Sequence, residues 1–251
     1  MKHYIKCIGL LILLFFNFNV MAQENEELEW KPALTEVWEP EPAKVDPGNN
    51  NQPPSDAIVL FDGTNFDHWE SANVGDKVAW QIDNQAMTVV PKTGAIQTKE
   101  TFGDMQLHIE WRSPAQIEGQ GQGRGNSGIF LQKRYEVQVL DSYDNRTYSN
   151  GQAGSIYKQY MPLVNATKKP GEWQTYDIIY TAPVFDENDQ LKYPARVTIL
   201  HNGILIQNNV AVKGATEYIG LPKYKAHGKA PILLQDHSNP VSFRNIWVRP
   251  L

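Results

Sequence analysis

Cysteine is almost absent from this chain: Cys7 is the only one among 251 residues. It sits in a segment expected to be removed, so no disulfide can staple the mature fold. A sustained apolar stripe of 3.6-residue period is also missing, which excludes a helical architecture. Basic excess is missing too. Without Lys2 and Lys6, 21 Lys and Arg stand against 28 Asp and Glu, a formal −7. No basic stripe is left to neutralise phosphates, and nucleic acid is excluded as a partner. No HxH or HExxH spacing occurs, so neither a metal nor another cofactor is expected.

The one long apolar run, Ile8 to Phe18, follows Lys2 and Lys6 and precedes Val20-Met21-Ala22. It is too short to span a bilayer comfortably and has the layout of a secretory leader. Cleavage is expected before Gln23, giving a periplasmic or secreted protein with no membrane span in its mature chain. Cys7 lies too early to carry a lipid after that cut. The remaining 229 or so residues suffice for one large all-β domain.

Residues 23–57 hold six prolines, nine acidic residues and no periodic apolar pattern. Such a composition reads either as a solvated linker or as an extended arm. Trp30 and Trp38 favour the arm, and one of them is expected to be buried against the domain that starts at residue 58.

From Ile58 onward short alternating runs predict strands at 58–61, 80–82, 86–90, 105–112, 129–131, 135–140, 175–180, 197–201, 204–207, 232–235 and 243–248. Asp83-Asn84 and Asn202-Gly203 read as hairpin turns. The latter is the stronger signal, because a type I′ turn needs two residues that tolerate positive φ. About ten to twelve strands joined by Gly, Pro and Asn turns predict an all-β jelly-roll sandwich of two antiparallel sheets.

Three strands carry polar side chains at alternate positions: His108, Glu110 and Arg112; Glu136 and Gln138; Gln235 and His237. One such row is ordinarily a solvated face. Together they suit carbohydrate, whose hydroxyls need fixed donors and acceptors. If the wet face is concave, all three rows are expected to converge on one cleft. The run from Gly119 to Gly128 includes a formal G-x-G-x-x-G at Gly123, Gly125 and Gly128. A dinucleotide fingerprint must open a helix, whereas this one leads into the strand Ile129-Phe130-Leu131. It is expected to be a mobile loop bordering the cleft, anchored by Asn126 and Ser127. The stretch from Glu136 to Asp141 has the spacing of the E-x-D-x-x-E of laminarinase-like retaining glycosidases. Their chemistry needs two carboxyls about 5–5.5 Å apart. Gln138 cannot ionise and Asp141 is one methylene shorter than Glu, which weighs against double displacement. His237, beside Asp236, can act as acid or base near neutral pH.

Leu60-Phe-Asp-Gly63 with Trp69, Asn126-Ser-Gly-Ile-Phe-Leu131, Tyr135-Glu-Val-Gln-Val-Leu-Asp141, Gly154-Ser-Ile-Tyr157, Gly171-Glu-Trp173, Leu200-His-Asn-Gly203, Leu234-Gln-Asp-His237 and Phe243-Arg-Asn-Ile246 resemble, in that order, the 3-keto-disaccharide hydrolase family. The resemblance covers about residues 58–251 and implies a concanavalin-like jelly roll acting on 3-keto-glycosides. Ser155 and Gln174 depart from the family's usual Ala and Asn, outside the polar rows. Such chemistry also fits the residue set directly. A C3 ketone acidifies the C2 proton, a base removes it, the enediolate expels the C1 substituent, and water adds back. Glu136 or His237 is the expected base. Arg112 and Gln138 would hold the oxyanion, and Glu110 would orient Arg112 or donate a proton. Asn126, Ser127, Asp141, Tyr157 and Gln235 would bind the sugar. Two alternatives stand beside this. One is a non-catalytic carbohydrate-binding module using Tyr157, Trp69 or Trp173 as ring platforms. The other is a retaining glucanase with Glu136 as nucleophile.

Overall fold

A computed structural model of the protein describes residues 31–49 and 52–251. The expected leader and Trp30 lie outside the described residues. The chain forms two units, residues 1–44 and 45–251. In the first, residues 31–44 are all exposed and include one short 3-10 turn, Pro32–Thr35. The burial expected for Trp38 does not occur: it is 79 % exposed, and its indole N–H donates to Glu36 Oε2 at 3.2 Å. Its neighbours from Glu36 to Pro42 are exposed as well, so no packed surface covers the ring. Residues 45–57, read above as arm, fall in the second unit. Asp46 and Ser55 close a loop through Ser55 N–H to Asp46 O at 2.9 Å and Asp46 N–H to Ser55 Oγ at 3.0 Å. Asp56 then pairs with Arg249, whose Nη2 lies 2.6 Å from Oδ2.

Fifteen strands build the second unit among the described residues. They are β1 (Ile58–Phe61), β2 (Trp69–Ser71), β3 (Gln81–Asp83), β4 (Ala86–Thr88), β5 (Ile96–Thr98), β6 (Met105–Arg112), β7 (Ser127–Leu131) and β8 (Tyr135–Val139). Then come β9 (Gln174–Thr181), β10 (Val184–Phe185), β11 (Leu191–Tyr193), β12 (Arg196–His201), β13 (Ile204–Ala211), β14 (Leu233–Leu234) and β15 (Ser242–Pro250). The large sheet has the order β13-β12-β9-β6-β15-β4-β3, with β1 also on β15. The small sheet runs β2-β5-β14-β7-β8, and β10 and β11 form a separate hairpin. Every pairing is antiparallel within the two sheets. The all-β sandwich is therefore as expected. Its turns follow backbone chemistry. Asn202-Gly203 has φ of 52° and 79° between paired His201 and Ile204. The other tight turn is Asn84-Gln85, φ 48° and 60°, one residue later than expected, because Asp83 pairs with Ala86 and stays in the strand.

Alternation sets the core. Leu107, Ile109 and Trp111 of β6 meet Tyr135, Val137 and Val139 of β8 in one apolar cluster. The Tyr176 hydroxyl crosses between the sheets to the Gln138 carbonyl at 2.9 Å. Side chains of opposite parity on β6 and β8 must then leave the sandwich on opposite sides.

Candidate functional site

That parity divides the residues expected to converge. His108, Glu110 and Arg112 project from the outer face of the large sheet, whereas Glu136 and Gln138 project from the outer face of the small one. They do not share a cleft. The two clusters differ in what their charges can do.

On the large sheet a bulge at Asn245, φ 46°, interrupts the pairing of β15 with β6. It turns Arg244 and Asn245 to the same outer side. Arg244 Nε donates to Glu110 Oε2 at 2.6 Å and Asn245 Nδ2 to Oε1 at 3.0 Å. His108 lies 3.9 Å from Glu110 through Nε2 and bonds Asp177 through Nδ1 at 2.6 Å. Trp247 stacks on its ring at 5.1 Å. Burial disfavours both charges, yet the pairing wins. His108 is raised to about 9 by Asp177 and Glu110, and Glu110 is lowered to about 2 by His108, Asn245 and Arg244. An imidazolium and a carboxylate so well matched are poor bases at neutral pH. Arg112 instead lies over Trp173, 4.7 Å from the ring centroid, and Arg244 over the same indole at 4.1 Å. A cleft of about 760 Å³ beside Glu110, Arg244 and Asn245 thus borders a neutralised ion network that ties β6, β9 and β15 together.

On the small sheet, both faces of β8 are buried. The wet face expected there is covered by loops. Glu136 is 5 % exposed, no hydrogen bond from a described residue reaches its carboxyl, and burial pushes its pKa up to about 8. Beneath it lies Gly128, opposite Gln138 in the β7–β8 register. Beside it stand Tyr148 and Tyr157, hydroxyl to hydroxyl at 2.6 Å. Both phenols are raised, first by burial and in part by the Glu136 charge. Lys158 Nζ lies 5.8 Å from each of those two ring centroids.

Next to Glu136 runs a set of glutamines. Gln138 Nε2 donates to Asn126 Oδ1 at 3.1 Å and to Gln122 Oε1 at 3.2 Å, while Asn126 Nδ2 donates to the Gln122 carbonyl at 2.6 Å. Gln235 N–H binds the Gly128 carbonyl at 3.0 Å, which places Gln235 across β7 from Gln138. The buried Oε1 atoms of Gln97, Gln138 and Gln235 receive no donor among the described residues. Buried acceptors are rarely left so, and three on one face suit a ligand rich in hydroxyls.

The other expected residues fall in varied places. Ser127 points inward, its Oγ donating to the Gln235 carbonyl at 2.7 Å, and so braces β7 against β14. Asp141 is not beside Glu136 as a second carboxylate: Arg124 Nε holds it at 2.6 Å in a buried pair. His237 is exposed past the end of β14. Trp69 is no platform, being 2 % exposed with its N–H on the Leu60 carbonyl at 2.8 Å. The glycine loop, expected to be mobile, is tied by Gly121 N–H to Asn145 Oδ1 at 2.8 Å and by the return bond from Asn145 Nδ2 at 3.0 Å. Gln122, Tyr148 and Lys158 were not anticipated. Only a cluster of tyrosines over 143–160 hints at them in the sequence.

The family model of the 3-keto-alpha-glucoside-1,2-lyase-like domain matches residues 56–249. A crystal structure of a candidate glycosyl hydrolase from Parabacteroides distasonis ATCC 8503 is 52 % identical, covers 88 % of this chain and 97 % of its own, and superposes with a TM-score of 0.84. A second candidate glycosyl hydrolase from the same organism, at 19 % identity and TM-score 0.57, covers 78 % of this chain and 94 % of its own. It shares the fold. No curated protein matches the chain.

Proposed function

We propose that this chain, which belongs to the 3-keto-alpha-glucoside-1,2-lyase-like domain family, cleaves 3-keto-glycosides at the outer face of its small sheet, with Glu136 as the base. A glycoside-cleaving enzyme is what the family supports. The finer reading rests above all on one observation: a buried carboxyl that no hydrogen bond from a described residue reaches, beside a tyrosine pair and a row of glutamine oxygens with no donor among the described residues.

In this mechanism Glu136 takes the C2 proton, and the C–H electron pair forms the C2–C3 double bond of an enolate with its charge on the C3 oxygen. A tyrosine pair shares one proton between its oxygens and keeps the other for the substrate. That second proton can bind the C3 oxygen, and the Lys158 ammonium adds a favourable field. Re-forming the C3 carbonyl shifts the double bond to C1–C2 and expels the aglycone oxygen, which takes up a proton. Water then adds across C1–C2 to give the free 3-keto-sugar. Glu136, held high by burial, is a stronger base than an exposed carboxylate once ionised. Gln138, Gln235 and Asn126 orient the sugar hydroxyls. No step uses a metal or a second carboxylate, and Asp141, bound to Arg124, is not free to supply one.

The test compares a 3-keto-glucoside with its unoxidised parent, together with solvent exchange of the C2 hydrogen in D2O. Turnover of the oxidised compound alone supports the mechanism. Equal cleavage of both, or of the parent alone, sinks it. Export completes the proposal, and the mass of the mature N-terminus in a periplasmic fraction checks it: a chain retaining Met1 would refute cleavage before Gln23.

A further inference from the structure

Phe130 is an aromatic side chain that the core does not use. It is half-buried in β7. Among the described residues it belongs neither to the apolar cluster between the sheets nor to the side chains packed against that cluster. Ile129 and Leu131 on either side of it do belong, so alternation puts Phe130 on the outer face of the small sheet. Its partner across the ladder is Glu136. The backbone groups of Glu136 turn away from β7, its N–H to Thr216 Oγ1 and its carbonyl to the N–H of Tyr157. Phe130 and Glu136 are therefore a non-hydrogen-bonded pair, the kind whose side chains stand closest. Gly128 lies on the same face, and the Phe130 ring edge and the Glu136 carboxyl both lean over the space its missing side chain leaves. Tyr157 borders Glu136 on the side away from Phe130. Across this face the order is a phenol, a carboxyl and a half-open phenyl ring.

Base and ring leave the sheet in the same direction. A pyranose resting on Phe130 therefore turns toward the phenyl ring the same face that yields its C2 proton to Glu136. In a gluco-configured sugar that face carries the axial hydrogens of C2 and C4, and the 4-hydroxyl is equatorial. With the C2 hydrogen over the carboxyl and the C3 oxygen toward the tyrosines, the body of the ring falls over Phe130 with its C4 hydrogen down. C–H groups suit the negative face of a phenyl ring. In the galacto epimer the 4-hydroxyl is axial on this same face, and its oxygen would be pressed against the phenyl ring and away from water. We infer that Phe130 is the platform for the sugar ring and the residue that selects an equatorial over an axial 4-hydroxyl. This rests on the proposed use of Glu136 as base, and adds to it a residue and a stereochemical choice.

Methyl 3-keto-glucoside and its C4 epimer, methyl 3-keto-galactoside, share the ketone and the leaving group. The wild-type kcat/KM is expected to favour the first at least about tenfold, the scale of a hydroxyl buried without a partner. Phe130→Ala should bring the two within about threefold, chiefly by slowing the 3-keto-glucoside. Phe130→Tyr keeps the ring and should keep the preference. A Phe130 that only supports the fold would lower both rates together and leave their ratio alone. That result overturns the inference, as does a wild-type ratio near one. Binding gives a second answer, free of turnover and of any change at position 130. In saturation-transfer NMR of the Glu136→Gln protein with methyl 3-keto-β-glucoside, irradiating aromatic protons should mark H4 more strongly than H1 and H5, which lie on the opposite face. The reverse order, or no transfer, overturns the platform. Strong transfer to H4 without cleavage by the wild-type chain would keep the platform and sink the proposed mechanism instead.

Discussion

A Cβ built on Gly128 would lie 2.6 Å from Glu136 Oε1 and 2.8 Å from Phe130 Cε2. The glycine stands in a strand with an ordinary strand backbone, so it is there for space and not for a turn. Gly128→Ala is expected to push the carboxyl aside and lower kcat at least tenfold, an order-of-magnitude cost for misplacing a reacting group. Its melting temperature should fall by only a few degrees. Steady-state kinetics beside a thermal melt decides, and a kcat within twofold of wild type would refute the placement.

Glu136 must be ionised to accept a proton. Its folded pKa of about 8 predicts that kcat/KM climbs with pH and levels off above that value. Glu136→Gln should abolish both activity and limb. A rate profile flat from pH 6 to 9 would point to another base.

Stability should move the opposite way. Burial raises this group above its ordinary carboxylate value of 4.5, so the folded state holds the proton more tightly than the unfolded chain. Stability then falls as pH climbs from about 4.5 to about 8. Glu136→Gln escapes that loss, and its gain in melting temperature over wild type should be larger at pH 9 than at pH 5. Equal gains at both would contradict it.

The large-sheet network should respond as structure and not as catalyst. His108 is raised in the fold, so its contribution is fully present below about 6.5 and is lost as pH rises through about 9. His108→Gln is expected to cost roughly 2 kcal/mol in denaturant melts at pH 7 while kcat stays within threefold. Arg112→Ala should leave kcat/KM within twofold, because it lies on the far side of the sandwich. A hundredfold loss of kcat in either would return the chemistry to this face.

Residues 45–57 belong with the sandwich, and residues 31–44 are exposed along their length. A chain beginning at Val45 should melt within about a degree of one beginning at Lys31. One beginning at Ala57 loses Asp56 and the loop closed by Asp46 and Ser55, and should melt several degrees lower. Equal melting of all three would make the whole segment a tether.

Alternation made the fold readable and the site only half so. Period two in β6 and β8 showed which side chains share a face of one strand. It carries no information on which sheet a strand joins, and β6 and β8 lie in different sheets with their cores facing each other. Glu110 and Glu136 looked alike in sequence and ended back to back. Short strands escaped for a related reason. Trp69–Ser71 and Ile96–Thr98 have three residues each, too few to display a period, and are strands only because partners flank them. Tyr157 was legible, but its partner Tyr148 and the Lys158 ammonium are gathered by loop geometry that no spacing encodes.

Strand β8 ends the small sheet, yet its free side is already occupied. The Glu136 carbonyl accepts from Tyr157 N–H at 3.1 Å and its own N–H goes to Thr216. Gln138 N–H donates to the Ser155 carbonyl at 3.0 Å and its carbonyl accepts from Gly154 N–H at 2.9 Å. An edge with no open donors or acceptors cannot template a strand from another molecule. A protein that stores an ill-solvated carboxyl on its outermost strand, with no disulfide to hold that strand in place, is thereby guarded against polymerising through the surface proposed for its chemistry.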